Sequence, residues 1–539
     1  MTRFFTNQRP AQKGQIHDSE VALASGFLLL LMLGTLAASG GFLLMSKPLW
    51  LDEYHTWLLA DQQSVLKSLV SLAQGADFNP PTLHLIYRVV AKILGGLTPF
   101  TMRVVSLASV WLALTVAYAT LRRHVSRPAA FVGSFALWAH PLVITHAFDA
   151  RFYGPWLLFT ALMTWSVGLD ASMVTSKRRN IALALSSALE CTIHYFGIFV
   201  WVVIVLSAIV ADRGPKCGPQ ATWRKFAPAL SGPLLLVLCT PFYFGQRQAL
   251  SVSTWVDPIN AEQLRNFAAT FYLWPGLLIP LCGWVFFRIL FRGGLQAIPN
   301  PSASFLRRPE ILALLALAAL PVVLLAFSVA VQPSMISRYA IPSLLLWPPL
   351  VAFVIEDVRG LIRAMMLVGY AALAMVLVRV QVRDAQRAIS ELNVDAATIL
   401  SLGSDATVVC RSRHRAYQLG TIAGGGRPLS RNICTMLDFD EALVRSLTEG
   451  TPADRQTIKF LTLERDVARV HSEIYGFPRM TSVQQLQQRD LIYVLEESWD
   501  PAWLPQMMFP AFSVRRVAAR MFLLQRVSPA QISHGAILR

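Results

Sequence analysis

Charge is what this sequence has least of. Asp, Glu, Lys and Arg make up 15% of its 539 residues, against about 25% in ordinary soluble domains. Acidic residues are the scarcer sign, 31 against 48 Lys and Arg. Hydrophobic residues reach 54% and the mean hydropathy is +0.48, which excludes intrinsic disorder, a state that needs low hydrophobicity. Cysteine is sparse as well. The six Cys, at 191, 217, 239, 282, 410 and 434, show no CxxC or Cys/His spacing, so neither a disulfide-built miniprotein nor a zinc module is indicated. There is no internal repeat and no low-complexity tract, and Gly424-Gly425-Gly426 reads as a turn. A net charge of +17 with a pI near 10 would suit a nucleic-acid binder, but not in so oily a chain. A polytopic membrane protein with basic loops fits both numbers.

Apolar runs able to span or enter a bilayer cover 21–45, 104–121, 129–147, 153–170, 181–211, 226–244, 267–287, 311–331, 340–355 and 364–380. The first, with 25 residues, is too long for a signal-peptide core and reads as a first transmembrane helix. The run 181–211 has 31 residues, too many for one crossing of about 20, and reads as two short helices with His194-Tyr195 at the tip. The total is about eleven crossings. Residues 81–97 are amphipathic, with His84, Arg88 and Lys92 on successive turns. Such a row is costly against lipid, so this stretch is read as an interfacial helix.

With residues 1–20 in the cytoplasm, the inner segments hold 19 Lys/Arg in 82 residues and the outer segments 9 in 93. This is a positive-inside bias. It places the first outer loop, 46–103, outside within a transmembrane region 21–380, and puts 381–539 outside too. In that C-terminal part the short runs 406–410, 458–463, 491–495 and 521–525 read as strands, and 439–448 and 466–475 as helices. The expectation is a small extracytoplasmic α/β domain, in which Cys410 and Cys434 are able to pair.

Four polar clusters fall on the outer face of this topology. Trp50-Leu51-Asp52-Glu53-Tyr54-His55 presents two carboxylates and an imidazole just past a helix end, a set able to take a proton, bind a cation or hold sugar hydroxyls. His146-Ala147-Phe148-Asp149-Ala150-Arg151 offers a third carboxylate and an arginine. His194-Tyr195 and Ser337-Arg338-Tyr339 complete the group. Taken singly, each also reads as a solvated loop doublet, a helix-end salt bridge or an interfacial anchor. Glu190 lies one turn before His194 in an apolar run, where it is either functional or paired with that histidine.

The order of these motifs resembles the C-type superfamily of integral-membrane glycosyltransferases, which take a sugar from a polyprenyl-phosphate carrier. The nearest branch is the bacterial one of lipopolysaccharide-core transferases, with aminoarabinose and protein O-mannosyl transferases further off. The residues that carry the resemblance are Leu51-Asp52-Glu53, Asn79-Pro80-Pro81, Arg103, Pro141, Asp149-Ala150-Arg151-Phe152-Tyr153, His194-Tyr195 and Arg338-Tyr339-Ala340-Ile341-Pro342, over roughly 20–355. The family often has Glu-Ala-Arg-Pro-Tyr where this chain has Asp149-Ala150-Arg151-Phe152-Tyr153. The carboxylate is one carbon shorter here and the proline is missing.

The resemblance implies an inverting hexosyl or pentosyl transfer at the outer face of a bacterial inner membrane. The acceptor would be a cell-envelope glycan, lipid or protein. Asp52 would be the base, with Glu53 and Asp149 as further catalytic residues. His55, Arg151, His194, Tyr195, Arg338 and Tyr339 would bind substrate. A divalent cation on Asp52, Glu53 and Asp149 is left open, and no nucleic-acid partner is expected. Aromatic runs at 242–244, 271–274 and 284–287 are candidates for lining a prenyl groove, though ordinary packing suits any one of them. The rival class is a secondary transporter or lipid flippase, which needs ionisable groups near the midplane and usually an inverted repeat. Only Asp170, Glu190 and Arg379 fall within the apolar runs.

Overall fold

The computed structural model describes residues 18–37, 41–169, 176–212, 219–249, 259–272, 308–331, 333–356, 358, 360–402, 406–410, 412–423, 434–438, 468–469, 471–473, 478–495, 512–518 and 521–526. The helix read at 439–448, the strand at 458–463 and the aromatic run 284–287 lie outside these residues. So do half of the residues read as a helix at 466–475, of which the described 468–469 and 471–473 are helical, the glycine turn at 424–426, residues 273–274 and all of 267–287 past Tyr272. The chain divides into two units, one of residues 1–45, 100–239 and 256–382, the other of 46–99, 240–255 and 383–539.

The first unit is helical. Six described helices of the chain are long and apolar enough to cross a membrane, or seven if the bent pair Arg127–Trp138 and Pro141–Ala147 is one span. The protein is an integral membrane protein. The reading of about eleven crossings also counts shorter helices such as Tyr153–Val167, with 15 residues. Residues 181–211 form two helices, Ser176–Ile193 and Gly197–Asp212, and His194 and Tyr195 fall in the break. The 67° bend of the broken pair sits at Pro141, whose ring disfavours helical backbone in the residue before it. His140 caps the new helix, its Nδ1 accepting the Leu142 N–H at 3.2 Å.

Several hydroxyls inside these helices are satisfied by their own helix, as a lipid solvent favours. Thr164, Ser166, Thr192 and Ser207 each donate to the carbonyl four residues back. The basic loop 122–127 is pinned by three glutamates. Glu20 meets Arg122 at 2.5 Å and Arg127 at 2.8 Å, Glu310 meets His124 at 2.8 Å, and Glu356 accepts from the Ser126 N–H at 3.0 Å.

The second unit holds helices Leu51–Ala60, Val65–Ala73 and Thr82–Leu94 of the first outer loop together with a six-stranded sheet. The strands are β1 (Val408–Cys410), β2 (Thr435–Asp438), β3 (Arg479–Ser482), β4 (Leu491–Leu495), β5 (Phe512–Ala518) and β6 (Met521–Arg526), in the order β3-β2-β1-β4-β6-β5. The four strands β3, β2, β1 and β4 pair in parallel, with Val409 opposite both Thr435 and Val494, and β6 runs antiparallel to β4 and β5. The sequence reading found β1, β4 and β6 and missed β2 and both edges, β3 and β5. An edge strand such as Arg-Met-Thr-Ser needs no apolar run.

The helix expected over 364–380 runs instead over Gly360–Ser401, 42 residues or about 63 Å at 1.5 Å per residue. Charge after residue 380 moves the chain out of the apolar phase without breaking the helix. Ala385, Leu392, Ala396 and Ile399 keep a helical spacing of buried positions. The last three pack with Val408, Cys410, Leu419, Met436 and Leu495 in the core of the α/β domain. Cys410 and Cys434 are joined in a disulfide with Cα atoms 5.8 Å apart.

Candidate functional site

The predicted residues fall into two groups, one in each unit. In the first unit the Tyr153–Val167 helix begins right after Asp149 and Arg151, and it packs closely on Pro99–Leu121. A Cβ on Gly154 would lie 2.4 Å from the Ser106 carbonyl oxygen, so only glycine permits the approach. Asp149 is buried, and its Oδ2 lies 2.6 Å from His146 Nδ1. The His146 ring sits 4.4 Å from that of Tyr153.

Two arginines lean on the aromatic residue that follows each of them. The Arg151 guanidinium carbon is 5.4 Å from the Phe152 ring centre, and that of Arg338 is 5.8 Å from the Tyr339 ring centre. Arg151 is 3% exposed. Arg338, second residue of the 3-10 helix Ser337–Leu346, is half-exposed. Pro342 inside that stretch withholds a backbone donor, in keeping with an irregular rather than α-helical turn.

His194 is the hub of this group. Its ring stacks on Trp156 at 4.8 Å and meets Phe152 at 4.4 Å, Tyr339 at 5.0 Å and Phe196 at 5.2 Å. Its Nδ1 accepts the Phe196 N–H at 3.1 Å, so the neutral ring carries its proton on Nε2. Tyr195 beside it is half-buried. The tight tip depends on Gly197, where a Cβ would stand 1.9 Å from the Glu190 carbonyl oxygen. Glu190 is fully buried and accepts from Trp156 Nε1 at 2.6 Å and from Thr160 Oγ1 at 3.0 Å. Its partners lie on the Tyr153–Val167 helix, and the pairing with His194 four residues on is not formed. Helical spacing suggested that pair, but the carboxylate turns towards two donors on the adjacent helix.

In the second unit the helix Leu51–Ala60 carries the acidic pair. The side chain of Glu53 is wholly buried, and its Oε2 accepts the Trp50 N–H at 2.9 Å, closing the helix N-terminus. Asp52 is half-exposed. His55 is 3% exposed and its ring lies 4.6 Å from that of His471. Arg88 is buried and donates to the carbonyls of Ala60 at 3.2 Å and Gln62 at 2.5 Å, holding the other end. The Asn79-Pro80-Pro81 motif is a folded corner. Asp77 Oδ1 accepts from Asn79 Nδ2 at 3.0 Å, the Asn79 carbonyl accepts from Gln246 at 3.1 Å, and His84 Nε2 stands 3.5 Å from Asp77 Oδ2. The helix Thr82–Leu94 turns His84 and Arg88 inward and leaves Val89, Ile93 and Leu94 exposed.

Among the described residues no group of three or more His, Cys, Asp or Glu stands together as a set able to hold a metal ion. Of the aromatic residues picked as groove lining, Phe271 is buried against Phe267, Phe242 packs on Leu59, Leu72 and Ala76, and Phe244 is exposed. The sequence reading did not single out Trp156, which stacks on His194 and binds Glu190, nor Tyr417 and His471 around His55. Trp156 carried a faint signal, an aromatic donor one turn into the helix that follows Asp149. Tyr417 and His471 carried none.

No protein-family model and no curated protein sequence matches the chain. Solved structures do. The apo structure of ArnT from Cupriavidus metallidurans superposes with a TM-score of 0.58 at 13% identity, covering 93% of this chain and 98% of that one. The structure of the same protein bound to undecaprenyl phosphate gives 0.55 at 13% identity, covering 94% and 99%. The chain therefore has the fold of ArnT along almost its whole length, and its likeness to the C-type integral-membrane glycosyltransferases is one of fold as well as of motif order.

Proposed function

We propose that this protein is a membrane glycosyltransferase that moves a sugar from a polyprenyl-phosphate carrier to an acceptor at the outer face of a bacterial inner membrane. The observation that carries the reading is the shared fold with ArnT, of which one structure holds undecaprenyl phosphate. The motif residues supply the chemistry. An acceptor hydroxyl or amine attacks the anomeric carbon while the carrier phosphate leaves from the opposite side, which inverts the configuration. Asp52 takes the acceptor proton as general base. Half-exposed while Glu53 is buried at the helix end, it is the more accessible member of the pair, and Glu53 fixes its helix.

The departing phosphate needs positive charge more than it needs a proton. A guanidinium meets it with two parallel donors. Arg338, half-exposed, has this role, and the buried Arg151 supports it. Asp149, bound to His146, is the second acidic position. His194, Tyr195 and Tyr339 line the sugar, and His55 is kept as a residue near the acceptor. No step is routed through a cation. The leading acceptor is a lipid-linked or cell-envelope glycan, with protein second. The N-terminus is assigned to the cytoplasm and the α/β domain to the periplasm, from the loop charges and from a disulfide that suits an oxidising compartment.

The test is a membrane assay with radiolabelled undecaprenyl-phosphate sugars, comparing wild type with Asp52→Asn. Transfer should fall at least a thousandfold while protein level and donor binding stay near wild type. Retained turnover would remove Asp52 from the role. A wild-type chain that consumes no such donor would overturn the reading.

A further inference from the structure

The sequence offers no role for the C-terminal domain, yet its side chains pack against the helix that carries Asp52. The helix Arg413–Ala423 presents Tyr417, Gln418 and Thr421 on one face. Gln418 Nε2 donates to the Leu49 carbonyl at 3.1 Å, two residues before the acidic helix begins. Thr421 Oγ1 is 2.9 Å from the Tyr54 hydroxyl, and the Tyr417 ring lies 5.3 Å from that of Tyr54. His471, fully buried, uses both ring nitrogens. Nδ1 meets the Tyr417 hydroxyl at 2.5 Å, and Nε2 lies 3.0 Å from the Ala76 carbonyl oxygen. A carbonyl only accepts, so Nε2 donates there, and in the neutral ring Nδ1 then accepts the tyrosine proton. The same imidazole packs edge-on against His55. One histidine thus ties the acidic helix, the turn at Ala76 and the C-terminal helix together.

We infer that Tyr417 and His471 are positioning residues for Asp52, gripping its helix through Tyr54 and His55. At 3.6 residues per turn Tyr54 lies about 200° around the helix from Asp52 and His55 about 60° from it, so the grip holds the helix on the side opposite the carboxylate through Tyr54 and one turn beyond it on the near side through His55. The helix itself spans ten residues, too short to be stable alone, and the grip supplies what it lacks. Arg415, whose Nη2 is 2.8 Å from Asp395 Oδ2, anchors the gripping helix to Gly360–Ser401. The kinetic part of this inference rests on Asp52 being the base.

The experiment uses the full chain in native membranes and in detergent. Tyr417→Phe keeps the ring and loses the hydroxyl. His471→Gln keeps a donor for Ala76 and loses the ring. In both, amide hydrogen exchange over residues 50–60 should quicken at least tenfold while Pro99–Leu121 keeps its wild-type rate. Unchanged exchange over 50–60 in both variants overturns the inference. With undecaprenyl-phosphate sugars as donors, kcat should fall about tenfold and the donor KM less than twofold. In an Asp52→Glu background the same substitutions should cost less than twofold, because a displaced carboxylate has little placement left to lose. An equal loss in both backgrounds overturns the positioning role. Wild type that consumes no donor overturns the transferase reading instead, and the exchange arm separates that failure from failure of the grip.

Discussion

Two arginines of the first unit differ in what burial leaves them to do. Arg151 is shut in beside Phe152, while Arg338 keeps part of its surface open at the start of an irregular helix. If Arg338 meets the carrier phosphate as a fork, Arg338→Lys keeps the charge and loses the second donor. Turnover should fall by at least tenfold, with little change in protein level or melting temperature. Unaltered kinetics would identify Arg338 as an interfacial anchor whose stem lies along apolar surface. Residue type, spacing and loop charge name Asp52, Glu53, Asp149 and Arg338 as candidates. They did not show that Glu53 would be spent on its own helix end, or that Glu190 would bind Trp156 and Thr160. The first depends on where the helix starts, since Glu53 reaches the N–H three residues back, and the second on which donors a neighbouring helix brings within about 3 Å, of which spacing along one helix carries no record.

Apolar runs located the helices because a lipid solvent imposes length and hydropathy on them. Their ends were less legible. Gly360–Ser401 outruns its apolar run by about six turns, since its second half buries one stripe against the sheet domain instead of facing lipid. The strands β1, β4 and β6 showed in the sequence as apolar runs, while the edges β3 and β5 and the inner strand β2, which buries only the apolar pair Met436 and Leu437, did not. The disulfide joins Cys410, at the end of β1, to Cys434, just before β2, across a separation of 24 residues. Closing a loop of that size should stabilise the α/β domain by about 3 kcal/mol. Replacing both cysteines by serine should therefore raise limited proteolysis of the C-terminal region about a hundredfold when cleavage follows the opened state. Proteolysis at the wild-type rate would show that the bond adds nothing to the folded domain. Cys410 lies three residues before the helix that holds Tyr417, so the bond also braces the root of that helix.

Across the whole molecule, the net charge of +17 is mostly a record of orientation, since the segments assigned inside hold 19 Lys/Arg against 6 Asp/Glu, the outer loops 9 against 7, and residues 381–539 hold 19 against 16. Single cysteines placed at the exposed positions Ser64 and Lys177 test this. A membrane-impermeant maleimide should label position 64 in intact spheroplasts and position 177 only after permeabilisation. The opposite pattern would invert the proposed topology and put Asp52 on the cytoplasmic side. The sequence by itself determined that this is a membrane protein of basic loops with an α/β segment after its last span, because hydropathy and charge act on every residue without reference to the fold. It also ordered the candidate motifs. Only the tertiary structure decided that residues 46–99 share a unit with the sheet domain, and that His471 would meet His55 over a separation of 416 positions in the chain. Contacts at that range are fixed by packing and hydrogen-bond satisfaction among segments that carry no trace of one another in local composition.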